Sequence, residues 1–199
     1  MLANVSLLRL FPMFALAALS LGASMKTAVT VKIVSTKPGR PPLEYLSADI
    51  DLRNDEGKPL WVLIPSRVPR MPGGIDTLEQ YTAKSGTTNV AIGRFLGSGG
   101  RYAVRLAPGA HLTMHKLEIG WWTAGDPKDI VFDFQFASDV MLGSESMAAW
   151  FDKDPTIRGT IELDMSTASH AVTHRSAGNK EVPLAATGAE TTSIKLSAQ

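Results

Sequence analysis

The chain has 199 residues, of which 44% are hydrophobic and 20% charged, with 20 lysines and arginines against 19 acidic residues and no cysteine. Without thiols there is no disulfide framework, iron–sulfur cluster, zinc finger or cysteine nucleophile. A net charge of +1 supplies no field to recruit a polyphosphate, so no nucleic-acid partner is expected, and the hydrophobic fraction is too high for a disordered chain.

The amino-terminal segment has the layout of a secretory signal. Arg9 is the only charged side chain before Lys26, and residues 10–23 (LFPMFALAALSLGA) are mostly apolar and end in small residues. This run is shorter than the about 20 apolar residues that a membrane-crossing helix needs, and Pro12 interrupts it. Residues 1–23 are therefore expected to be a cleaved signal peptide, with cleavage between Ser20 and Ala23 and export to the periplasm or outside the cell, in a bacterium. Leu21-Gly22-Ala23-Ser24 follows a lipobox except at its last position, where Ser24 has no thiol to carry a lipid. Cleavage removes only Arg9 from the charge count and leaves 19 basic against 19 acidic side chains. A neutral chain has no electrostatic hold on an anionic membrane, so no stable anchor is expected after cleavage.

The rest of the chain reads as short strands separated by turn chemistry. In Thr27–Thr36, Val29, Val31 and Ile33 alternate with Thr30 and Lys32. Leu46, Ala48, Ile50 and Leu52 alternate with Ser47, Asp49, Asp51 and Arg53, the pattern of a half-buried strand. Asn54-Asp55-Glu56-Gly57 supplies a turn, and the apolar run Pro59–Ile64 is expected to return from it as the second arm of a hairpin. Residues 65–75 form a loop with three prolines and two glycines. Thr77–Lys84 fits either a helix capped at Asp76 or a strand turning at Ser85-Gly86 into Asn89–Leu96, and the strand is preferred. Gly97-Ser98-Gly99-Gly100 marks a hairpin turn before the strand Arg101–Leu106, and Ala107-Pro108-Gly109 leads into Ala110–Ile119. Ile130, Phe132, Phe134 and Phe136 form an aromatic face of period two, Ser146–Phe151 suits one helical turn, and Arg158–Met165 a further strand.

No apolar spacing of 3.6 persists over a helix length, so the expected fold is all-β: an immunoglobulin-like antiparallel β-sandwich of about 8–9 strands with at most one or two short helices. Residues 24–165 make its core. In residues 166–199, serine, threonine and alanine occupy 17 of 34 positions, which points to a loop with a last strand at 191–197.

Candidate chemistry is sparse. The histidines form two H-x-x-x-H pairs, His111/His115 and His170/His174. In a strand, residues four apart stand about 13 Å from each other, too far to share one ion, and Leu112 stands where a zincin needs its glutamate. Asp49 and Asp51 share a strand face near Asn54, Asp55 and Glu56, yet Arg53 occupies the place of an oxygen ligand. Asp49, Asp51, His111 and His115 are thus weak metal candidates, and no metal or other cofactor is expected. The same two aspartates also fit an acid–base pair, but no other residue supports it. Neither G-x-S-x-G nor S-x-x-K occurs, so no catalytic residue is assigned. Adjacent strand residues face opposite ways, so only one of Trp121 and Trp122 can enter the core; the other, near Glu118, is a candidate anchor for a protein or glycan partner, as is a strand edge. The expected function is an exported, non-enzymatic binding module. The alternative is a secreted carbohydrate-active or hydrolase-type domain that uses surface carboxylates and an exposed tryptophan.

Overall fold

The computed structural model describes residues 27–38, 43–66, 77–95, 100–122, 131–168, 175–176 and 184–195. The signal-like segment, the Gly97–Gly99 turn, His170 and His174 lie outside the described residues, as do the side chains of Trp121 and Trp122.

Strand segments follow one another along the described residues. The first five are β1 (Thr27–Pro38), β2 (Leu43–Asn54), β3 (Leu60–Pro65), β4 (Thr77–Ser85) and β5 (Thr88–Phe95). Next come β6 (Arg101–Leu106), β7 (His111–Trp122), β8 (Val131–Ala137), β9 (Asp139–Leu142) and β10 (Glu145–Ser146), then a 3-10 turn at Met147–Trp150. The last are β11 (Thr156–Ile157), β12 (Thr160–Asp164), β13 (Arg175–Ser176), β14 (Leu184–Thr187) and β15 (Glu190–Lys195). The segments outnumber the 8–9 strands expected; β10, β11 and β13 have two residues each and β9 and β14 four, too short to leave a clear alternating pattern.

The fold is an all-β, mainly antiparallel sandwich. One sheet has the order β1-β2-β7-β12, and the larger has the order β13-β4-β5-β6-β3-β8-β15, with β11 added beside β6. Among the described residues only β12 on β7 and β11 on β6 run parallel. Alternation places Leu46, Ala48, Ile50 and Leu52 of β2 and Leu112 and Met114 of β7 against Val62, Ile64, Val104 and Ile92 of the facing sheet. Phe132, Phe134 and Phe136 are completely buried in this core, as their spacing required.

A second apolar layer covers the far side of the larger sheet. Trp61, Leu63, Phe95 and Ala103 pack there against Val140, Leu142, Met147, Trp150 and Phe151, and β9 carries β10 and β14 in a small sheet of its own. Every residue of β3 is buried as a result, which explains why Leu60–Ile64 shows no alternation.

One expectation is overturned. β2 and β3 are not the arms of a hairpin: β2 pairs with β1 and β7, whereas β3 pairs with β6 and β8. The Asn54–Gly57 turn carries the chain from one sheet to the other. Asn54 is fully buried, and its Nδ2 donates to the carbonyls of Lys58, Leu106 and Ala107 at 3.0, 3.0 and 3.1 Å. Its Oδ1 accepts the Glu56 N–H at 3.0 Å, its backbone N–H donates to Ala110 O, and its own carbonyl accepts the Gly109 N–H. Gly109 adopts φ 69°, a conformation without steric cost for glycine. Two of the crossings between sheets, β2 to β3 and β6 to β7, are thereby fastened to each other through Asn54.

Other expectations hold. Residues 77–85 form a strand paired with β5, residues 147–150 form a helical turn, and β15 lies antiparallel on β8.

Candidate functional site

The polar face of the four-stranded sheet carries Thr30, Lys32 and Val34 from β1, Asp49 and Asp51 from β2, His111, Thr113 and His115 from β7, and Glu162 and Asp164 from β12. Two irregularities meet there. Between β1 and β2, Ile33 pairs with Ala48 and Ser35 with Ser47, so Val34 is an extra residue. Between β2 and β7, Ala48 pairs with Leu117 and Ile50 with Met114, so Asp49 alone faces both His115 and Lys116. Bulges of this kind bend a strand and re-aim its side chains.

Lys116 completes the second bulge in the left-handed region, with φ 55°, and it is the only non-glycine residue with positive φ among the described residues. That conformation costs an L-residue about 1–2 kcal/mol. Two contacts hold it. The Lys116 backbone N–H donates to Asp49 Oδ1 at 3.0 Å, and the ammonium Nζ donates to Asp164 Oδ2 at 3.0 Å. The other oxygen of Asp49 lies 3.5 Å from His115 Nδ1. Val34, Asp49, His115, Lys116 and Asp164 together line an open groove of about 400 Å³, which takes at least one residue from each of the four strands. Val34 is 41% exposed, unusual for a large apolar side chain among the described residues.

A second histidine–carboxylate pair stands beside the groove. His111 Nε2 hydrogen-bonds Asp51 Oδ1, which Thr113 Oγ1 also approaches at 3.4 Å. The four weak metal candidates thus sort into two His–Asp pairs rather than one ligand set. Among the described residues no three histidine, aspartate or glutamate side chains gather where an ion could sit. Glu118 is exposed on β7, one position beyond the buried Leu117, and is not a groove residue. Its backbone carbonyl accepts the Tyr102 hydroxyl at 3.0 Å. Trp121 and Trp122 extend β7 opposite Glu44 and Leu43, and their side chains lie outside the described residues. In the sequence the aspartate and histidine pairs stand apart. The alternation of both segments is visible there, but the pairing of segments some 60 residues apart is not.

Asp164 ties the groove to the end of β12. Hydrogen bonds from the Ser166 hydroxyl, the Lys116 ammonium and the Ser166 N–H lower its pKa from the usual 3.8 to about 2. A carboxylate depressed in this way adds stability above its unfolded pKa and loses it as pH falls through its folded one. The contacts at Asp164 are therefore expected to open between about pH 4 and pH 2. A carboxyl NMR titration should place the Asp164 midpoint near 2; a midpoint close to 3.8 would show that these bonds do not form in solution.

Comparison with family models, with curated proteins and with solved structures finds no match.

Proposed function

We propose that this chain is an exported, immunoglobulin-like β-sandwich that acts as a binding module and takes its ligand in the groove at the double bulge. The supporting observation is Lys116, a residue held in a strained conformation by two carboxylates at a bend of an otherwise regular sheet. Strain of this sort persists where surrounding contacts over-determine it, commonly at ligand sites. The groove presents an ammonium, an imidazole and an aliphatic wall together, which suits a small polar ligand, or a partner's side chain, with one apolar face. The signal-like segment 1–23 supports export, and mass measurement of the secreted chain tests it by locating cleavage between Ser20 and Ala23.

Lys116→Gly separates strain from function. Glycine adopts φ 55° freely, so this variant is expected to be more stable by up to about 1 kcal/mol, net of the lost Asp164 pair, and to lose ligand binding. The measurement is a ¹⁵N NMR titration of the mature chain and the variant with panels of monosaccharides and dipeptides, alongside thermal melts. Shifts clustered at residues 34, 49, 115, 116 and 164, absent in the variant, support the groove. Shifts clustered at Trp121–Trp122 instead move the site to the tryptophan-bearing end.

The two His–Asp pairs favour a second reading, a hydrolase-type domain in which Asp49 or Asp51 orients a histidine base. Hydrolysis of nitrophenyl esters or glycosides that disappears in His115→Gln or His111→Gln supports it. Its absence in the unaltered chain removes it.

A further inference from the structure

β1 is the outermost strand of its sheet, and among the described residues nothing pairs with its far side. At the opposite edge β12 lies against β4, so the sandwich is closed on that flank and open along β1. Val29, Val31 and Ile33 of β1 are accordingly only half-buried, although they pack on the core. An edge strand of this length with unpaired N–H and C=O groups is a template for another strand.

We propose that β1 pairs antiparallel with β1 of a second copy of this chain, about a two-fold axis through Val31. The residue pattern selects both partner and register. A two-fold pairing keeps the core-facing rows on one side of the joined sheet only when the axis passes through a residue, because side chains alternate. With the axis at Val31, Val31 meets itself and Val29 meets Ile33, while on the polar face Thr30 meets Lys32. An axis at Lys32 sets two ammonium groups against each other. An axis at Thr30 leaves Ile33 opposite Thr27 and Lys32 opposite Ala28. Only the Val31 register continues the apolar stripe with no like charges facing. The bulge at Val34 then ends the ladder, which limits pairing to one partner segment instead of an open-ended stack.

Sedimentation equilibrium of the mature chain, from micromolar to near-millimolar concentration, is expected to show a monomer–dimer equilibrium. Thr30→Lys sets an introduced ammonium against Lys32 of the second copy at two symmetric points, on exposed positions that do not disturb the core; it should weaken the dimer about tenfold, with recovery in high salt. Because the chain has no cysteine, Val31→Cys is expected to give a single disulfide-linked dimer on oxidation. Ala28→Cys should not, since the two Ala28 residues stand roughly 20 Å apart in this register. A chain that stays monomeric throughout overturns the proposal, as does a dimer indifferent to Thr30→Lys or one that cross-links equally through Ala28→Cys.

Discussion

Replacing Asn54 with alanine is expected to destabilise the protein by about 3–5 kcal/mol, because one truncation strands several buried groups at once. The carboxamide meets the carbonyls of Lys58, Leu106 and Ala107 with its Nδ2 and the Glu56 N–H with its Oδ1, and the residue is completely buried. Each buried group left without a partner costs about 1–3 kcal/mol, and water reaches the Lys58 side of the corner first, so the total falls short of a simple sum. In a domain of this size 1 kcal/mol moves Tm by about 2–4 °C, so a drop on the order of 10 °C is expected in a thermal melt. Asn54→Asp should be worse near neutral pH, since a carboxylate oxygen then faces carbonyl oxygens and donates nothing. A melting temperature for Asn54→Ala within a degree or two of the parent would show that the corner is held by packing alone.

Trp61→Ala is expected to cost about 3–5 kcal/mol and to show where that energy resides. Trp61 is 1% exposed on the side of β3 turned away from the four-stranded sheet. Its ring lies 6.0 Å from that of Phe151 at an interplanar angle of 32°, and the Arg105 guanidinium stands 5.9 Å from the Trp61 ring centroid. It therefore joins the small outer layer to the larger sheet. Hydrogen exchange should speed first in β9, β14 and Met147–Phe151, while β2 and β7 keep protection close to that of the parent. Uniform loss of protection would mean that the two apolar layers unfold as one unit.

The same two residues show how far the sequence could be read. Trp61 sits in Leu60–Ile64, an apolar run read as a strand, but its burial on both faces emerged only in the folded chain. Met147, Trp150 and Phe151 supply that cover from more than 80 residues away. Asn54 began a run of turn-forming residues, which local chemistry assigns equally to a hairpin or to a crossing between sheets. The choice was made by hydrogen bonds to Leu106 and Ala107, which no local pattern encodes. Lys116 is the sharper case. Its left-handed conformation has no residue-type signature, since glycine is the usual occupant of such a bulge, and Asp49 and Asp164, which converge on it, come from strands distant in the chain.

What the sequence alone determined was the class of structure: alternation in β2 and β8, turn residues between short segments and the want of any helical period fix an all-β chain, because side-chain direction in a strand depends on nothing beyond its neighbours. Its cysteine-free composition likewise meant that packing and hydrogen bonds would hold the sheets together. Tertiary structure alone decided which strands pair, that β2 and β3 part into different sheets, and that Asp49, His115, Lys116 and Asp164 share one groove. Strand partners are chosen by the burial of whole faces and by backbone groups distant in the chain, and a period of two is compatible with many such choices.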